Sequence, residues 1–400
     1  MKYVILVGDG MGDYTIPELA DRTPLQAART PAMDFLASRG KLGLLQTIPE
    51  GFPPGSDVAN LSLLGYRPEE CYTGRAPLEA ASMGVTLKKD EIAFRCNLVT
   101  LDHSPTREIR MVDYSAGHIS TNEAAELISA LDRQLGNGSR RFYPGVSYRH
   151  LFVRHGDLPG LVTVPPHDHT GRLVTEQWQR YLTFPDMAEL LEQASTILAD
   201  HPVNRERQRL GKNPANAIWL WGEGRSPVMA TLFERFGASG ALISAVDLLK
   251  GIGVYAGMEI INVAGATGYL DTNYEGKAQA ALAALDRHDL VFVHVEAPDE
   301  TSHQGLLHEK IQAIEDFDRR IVQTVLDGLS IRKDFRLVVA MDHFTPISLK
   351  THVNEAVPFV IFDSQNQTAP KVIGFCEPDA KATGLRLDNG AQFMASILGR

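Results

Sequence analysis

The chain has 400 residues, 44% hydrophobic and 22% charged, enough apolar material for two or three domains of ordinary size. A net charge of −10 excludes nonspecific binding to nucleic acid, because displacing counterions from phosphates needs a basic footprint. Cys71, Cys96 and Cys376 are odd in number and dispersed, which excludes a disulfide framework or a CxxC zinc site, and no apolar run approaches the ~20 residues of a membrane span. The thiols are expected to be reduced and the protein cytoplasmic, with neither nucleic acid nor membrane as a partner. The opening apolar run is too short for a signal-peptide core.

In chain order, Tyr3–Val7 reads as a buried strand, followed by Gly8-Asp9-Gly10-Met11-Gly12, which places Asp9 in a glycine-permitted turn at the strand end. Pro53–Tyr66 is a Pro-Gly turn running into a helix, with Ser56 at its mouth, where the helix N-terminus favours an anion. The middle of the chain gives strands at Ile92–Leu101 and Leu151–Val153 and helices at Asn122–Leu135 and Phe184–Leu198. Arg133–Arg141 and Asp200–Pro214 are polar surface connections, and the charge run Arg205–Lys212 is expected to be a solvated helix face. Ala217–Trp221 is an apolar strand. Beyond it the pattern alternates: helix Val228–Phe236, strands Ala241–Ser244 and Ile260–Val263, helix Lys277–Leu285, strand Leu290–Val295, helix Lys310–Leu329 and strand Arg336–Met341. That rhythm belongs to a doubly wound sheet.

Two of these strands run directly into groups of metal-ligand side chains. Asp299 and His303, four residues apart, follow Leu290–Val295, while Asp342 and His343 follow Arg336–Met341, with His352 nine residues later. Ligands in open α/β sheets bind at the carboxyl ends of strands, so Asp9, Asp299, His303, Asp342, His343 and His352 converge on one edge. Carboxylates mixed with imidazoles suit Mn²⁺, Zn²⁺ or Fe²⁺ better than Ca²⁺. Ser56 is placed like a nucleophile on a turn. Arg75, Arg154, Arg225 and Lys277 are candidate cations for an anionic ligand, and His155, Asp157, His167 and Asp168 are further polar groups able to handle a proton.

GDGMGD, PPGSDVANLSLLGY, YTGRAPLEAASMGV, VEAPDETSHQG, KIQAIEDFDRR and DHFTPISLKTHVNEAVPF occur in that order over nearly the whole chain. Together they resemble the cofactor-independent phosphoglycerate mutases of the archaeal type, members of the alkaline phosphatase superfamily. The resemblance implies an α/β fold, a doubly wound and mostly parallel sheet interrupted by a smaller α+β domain that closes over the substrate. The expected division is a metal-binding domain of residues 1–80 and 225–400 and a substrate-binding insert of 81–224. It also implies two divalent ions, Mn²⁺ foremost with Zn²⁺, Fe²⁺ or Mg²⁺ as alternatives. Asp299, His303 and His352 would hold one ion; Asp9, Asp342, His343 and the Ser56 oxygen would hold the other. Ser56 would take up the phosphoryl group as a phosphoserine, and the substrate would be a small phosphorylated metabolite, 3-phosphoglycerate interconverting with 2-phosphoglycerate. Two departures, Asn60 where the mutases carry histidine and TVPPHDHTGR in place of an acidic run, open an alternative: a homoserine kinase-like phosphotransferase of the same fold.

Overall fold

Runs such as Val4–Val7 and Val291–Val295 are apolar on both faces and so need cover above and below; every one of their side chains is buried. They form the centre of a large sheet in the computed structural model, which describes residues 1–104, 107–367 and 373–399. The chain begins with β1 (Lys2–Gly8) and β2 (Lys41–Leu45). It continues through β3 (Glu91–His103), β4 (Ile109–Asp113), β5 (Arg140–Val146), β6 (Arg149–His155) and β7 (Ala217–Gly224). It then returns with β8 (Gly240–Ile243), β9 (Glu259–Ile260), β10 (Leu290–Val295), β11 (Phe335–Ala340), β12 (Val357–Asp363) and β13 (Arg386–Leu387).

Two compact units result: Met1–Tyr72 with Val228–Arg400, and Thr73–Pro227. The division falls some eight residues before the expected 80/81 boundary and three after the expected 224/225 one. The helix Arg75–Ser82 packs on β3 and β7, both in the second unit, and carries Arg75 with it. Gly74 and Gly224 explain the tight pairing of the two chain segments there. A Cβ on Gly74 would lie 2.1 Å from the Glu223 carbonyl oxygen, and one on Gly224 would lie 2.2 Å from that of Thr73.

The first unit holds an eight-stranded sheet in the order β13-β2-β12-β11-β1-β10-β8-β9. β1 pairs in parallel with both β10 and β11, and β12 runs antiparallel between β11 and β2. The three strands β11, β1 and β10 are therefore adjacent, and their carboxyl ends open at one edge. The second unit is an antiparallel sheet in which β3 pairs with β4, β6 and β7, covered by helices including Thr121–Leu135 and Pro185–Asp200. The architecture is a mostly parallel α/β sheet with an α+β insertion. No helix among the described residues is long and apolar enough to cross a membrane.

Several elements differ from their sequence-based expectations. The helix expected at Val228–Phe236 is confined to Leu232–Phe236, where Thr231 forms a capping box with Glu234, and Val228 before it is 90% exposed. The strand expected at Ile260–Val263 shortens to β9 and shifts to Glu259–Ile260. The long helix continues from Leu307 to Leu329, but with a π turn at Phe317–Val322. There Asp318 accepts from Ala32 N at 3.2 Å and Met33 N at 2.7 Å, satisfying the open N-terminus of the helix Pro31–Arg39. Arg205–Lys212 is not wholly solvated: Arg207 turns inward from the helix Pro202–Arg209 and is buried.

Candidate metal centre and nucleophile

Asp9 leaves β1 with its N–H donating to the Val295 carbonyl at 2.9 Å, which brings the ends of β1 and β10 together. Gly10 then adopts φ +61°, a left-handed conformation, and a Cβ there would lie 2.6 Å from both Asp299 Oδ1 and Thr345 Oγ1. Glycine is needed at this position for both reasons, and its N–H donates to Asp342 Oδ1 at 3.1 Å.

Around this turn two groups of side chains have mutually close ligand atoms: Asp9, Asp342 and His343, and Asp299, His343 and His352. His343 Nε2 lies 3.4 Å from Asp9 Oδ1 and 3.4 Å from Asp342 Oδ2. Asp299 lies 3.1 Å from His303 Nε2 and 3.5 Å from His352 Nε2. Ser56, the first residue of the helix Ser56–Leu63, holds its Oγ 3.1 Å from His343 Nε2. The structure thus brings together Asp9, Ser56, Asp299, His303, Asp342, His343 and His352.

The electrostatics of this cluster are unbalanced. Burial, then Asp342, Asp299 and Glu296, push the Asp9 carboxyl well above its usual range. Burial also works against ionised Asp299, but His303 and His352 hold that carboxyl well below the ordinary value. His303 is raised to about 9 against the effect of burial, by Asp299. Two observations make the site fit a cation. Asp9 Oδ1 is buried with no hydrogen-bond partner among the described residues. His303 Nε2 and His352 Nε2 face each other at 2.9 Å, so a proton or a cation has to stand between the lone pairs. His303 Nδ1 donates to the Lys350 carbonyl at 2.9 Å, which leaves its Nε2 as the free ligand atom.

Residues that the motifs left unassigned complete the cluster. Thr345 Oγ1 donates to Asp299 Oδ1 and lies 3.2 Å from His343 Nδ1, touching both groups. Thr47 Oγ1 donates to the Asp342 carbonyl at 2.6 Å, and His294 Nε2 lies 3.1 Å from Asp9 Oδ2. Thr345 stands two residues after His343, a position where a hydroxyl in a ligand turn is a usable signal; Thr47 carries none. Asn60 contacts the cluster directly. One helical turn after Ser56, its amide donates to Asp342 Oδ2 at 3.0 Å and to the Ser56 carbonyl at 2.8 Å, so it orients a carboxylate of the cluster.

The expected cations fare differently. Lys277 is buried in the helix Tyr274–Ala284 and donates to the His294 carbonyl at 3.1 Å, inaccessible to a ligand from solvent. Burial lowers its pKa to about 8. Arg154 on β6 is paired with Asp186 at 2.8 Å. Arg225 is engaged by Asp157 at 2.5 Å and the Lys89 carbonyl at 2.7 Å. Each of the three has a partner within the protein, although Arg154 Nη1 is buried with no hydrogen-bond partner among the described residues. Arg75 stands near Arg95 and His167. Arg95 packs its guanidinium 4.0 Å over the Trp221 ring and pairs with Glu79 at 3.1 Å; burial, with Arg75 and Arg149 adding, lowers its pKa. His155 is paired with Asp90 at 2.5 Å, whereas His167 lies 3.6 Å from Asp168 and edges onto Trp221.

A mostly parallel sheet with carboxylates and imidazoles at three adjacent strand ends, interrupted by an α+β insertion, defines an α/β protein with a candidate metal centre at its sheet edge. Residues 37–204 match the family model described as 2,3-bisphosphoglycerate-independent phosphoglycerate mutase. The chain is 52% identical to a probable mutase of that name from Geobacter sulfurreducens and 53% identical to one from Methanosarcina acetivorans, each over 100% of both chains. Among solved structures it is similar to the PH0037 protein of Pyrococcus horikoshii (TM-score 0.83, 28% identity, covering 100% of this chain and 97% of that one). It is also similar to the cofactor-independent phosphoglycerate mutase of Thermoplasma acidophilum (TM-score 0.67, 28% identity, 100% and 99%). The chain belongs to the 2,3-bisphosphoglycerate-independent phosphoglycerate mutases. The full-length relatives give the homoserine kinase alternative no support.

Proposed function

We propose that this protein interconverts 3-phosphoglycerate and 2-phosphoglycerate without bisphosphoglycerate, through a phosphoserine at Ser56. The observation that carries the reading is the Ser56 hydroxyl 3.1 Å from His343 Nε2, beside the unpartnered Asp9 Oδ1. Two divalent ions, Mn²⁺ foremost, are assigned to Asp299, His303 and His352 and to Asp9, Asp342, His343 and Ser56. When bound, such ions lower a hydroxyl pKa and screen charge on phosphoryl oxygens.

Ser56 Oγ attacks the phosphorus of 3-phosphoglycerate, the bond from phosphorus to the C3 oxygen breaks, and that oxygen takes a proton. The glycerate then reorients. Its C2 hydroxyl loses a proton and attacks the phosphoserine, the bond from phosphorus to the serine oxygen breaks, and 2-phosphoglycerate leaves with Ser56 restored. No nucleotide or water is consumed. The N-terminal turn of the Ser56–Leu63 helix favours the negative charge that gathers there. Asn60 keeps Asp342 oriented throughout.

The test is ³¹P NMR of Mn²⁺-loaded protein with 3-phosphoglycerate alone, and separately with homoserine and ATP. A 2-phosphoglycerate resonance in the first sample is expected. An unchanged first sample with phosphohomoserine in the second would overturn the mutase reading.

A further inference from the structure

Lys310 lies in the helix Leu307–Asp316, outside every ligand motif, and its side chain is fully buried. Its ammonium has three donors and all three are used: Gly12 O at 3.2 Å, Asp13 Oδ2 at 2.8 Å and Thr345 O at 2.9 Å. Gly12 and Asp13 belong to the turn that carries Asp9 out of β1. Thr345 belongs to the turn that carries Asp342 and His343 out of β11. The same two turns are stitched directly by Thr345 N donating to Gly12 O at 3.1 Å and Ile347 N donating to Asp13 Oδ2 at 3.1 Å. From Thr345 the contacts reach Asp299 and His343, one residue from each side of the ligand cluster. On its far side Asp13 N donates to Glu377 Oε1 at 3.2 Å, and Thr23 Oγ1 donates to Glu377 Oε2 at 2.7 Å, which fixes the turn from behind.

Stability alone does not account for this pair. Replacing a buried ion pair by apolar side chains of similar volume is often neutral or stabilising. What an apolar pair cannot reproduce is one group bonding to two backbone carbonyls on different turns while holding a carboxylate between them. We infer that Lys310 is a positioning residue of the metal centre, clamping the Gly10–Asp13 and Phe344–Ile347 turns so that Asp9 and His343 meet at ligand spacing. This rests on the assignment of Asp9, Asp299, Asp342 and His343 as metal ligands.

The experiment is calorimetric Mn²⁺ titration of the full chain as wild type, Asp299→Ala, Lys310→Met and Asp13→Asn/Lys310→Met, with thermal unfolding of each in EDTA. Lys310→Met is expected to weaken Mn²⁺ binding by about 10–100-fold, the usual effect of losing a group that orients ligands. The double variant removes the stranded charge, so it recovers much of the metal-free unfolding temperature yet keeps the weakened Mn²⁺ binding. Wild-type Mn²⁺ affinity in the double variant would overturn the clamp, reducing Lys310 to a counter-charge for Asp13. Loss of Mn²⁺ in Asp299→Ala but not in either Lys310 variant would overturn the clamp alone. Absence of Mn²⁺ binding in the wild type would overturn the metal assignment and the clamp with it.

Discussion

Arg207 in the second unit and Asp9 in the first are both buried charges, 2% and 1% exposed, yet their surroundings differ in kind. Arg207 Nε donates to the Asn213 carbonyl at 3.0 Å, Nη1 to Glu123 Oε2 at 3.0 Å and Nη2 to the Ala116 carbonyl at 2.5 Å. Each nitrogen has an acceptor and one of these is an opposite charge. Asp9 lies among carboxylates and two imidazoles, His294 at 3.1 Å and His343 at 3.4 Å, yet its Oδ1 has no hydrogen-bond partner among the described residues. A buried charge that the chain satisfies itself holds a fold together, whereas one that the chain leaves unsatisfied is matched by something the chain does not contain.

That contrast can be broken in four places. Ser56→Ala should lower mutase turnover by more than ~10³-fold, as for loss of a nucleophile, with the unfolding temperature in EDTA close to wild type. Near-normal turnover in a coupled enolase assay would remove Ser56 from the chemistry. Arg207→Met should cost about 1–3 kcal/mol of unfolding free energy, chiefly by leaving the Ala116 carbonyl without its donor, while Mn²⁺ affinity is unchanged. Urea unfolding and metal titration of one preparation check both halves. In the first unit the order reverses. Mn²⁺ at a hundred times its dissociation constant should stabilise the protein by about 2.7 kcal/mol, and Asp299→Ala should erase that gain with a smaller change in the metal-free protein. Thermal unfolding with and without Mn²⁺ reads this directly.

The smallest effect concerns pH. His150 is buried in the second unit, accepts from Gly145 N at 3.0 Å through Nδ1, and burial lowers its pKa to about 3. A base held neutral in the folded state contributes stability that is present above its unfolded pKa of about 6.5 and lost as pH falls toward 3. Between pH 6 and 5 the wild type should lose about 1.4 kcal/mol more than His150→Gln. Parallel stability profiles for the two proteins would refute the assignment.

β10 spans the residues expected of it because Leu290–Val295 is apolar but for His294, and all six side chains are buried. The convergence of acids and imidazoles was legible for the same reason, since strands of a parallel sheet deliver whatever follows them to one edge. The guanidinium roles were not legible. Arg154 and Arg225 look alike in the sequence, and only the arrival of Asp186 and Asp157 reveals that both are engaged. Lys277 is expected from the sequence as a cation for an anionic ligand, and only the fold shows that it is buried and donates to the His294 carbonyl. Asn60 was read by comparison with other mutases as a changed substrate contact, while its spacing from Ser56 already placed it one helical turn away, facing the same buried edge. The boundary between the units lacked a compositional signal, because close packing of Gly74 and Gly224 requires only the absence of side chains.

The eight-stranded sheet ends on β13 at one side and β9 at the other, each two residues long. A neighbouring polypeptide seeking to extend the sheet would find two residues' worth of backbone to pair with, too little to hold an added strand. The long, apolar strands that build the ligand edge are thereby kept from seeding the aggregation to which such sequences are prone, and the protein can concentrate hydrophobic strands at its centre without offering them to other molecules.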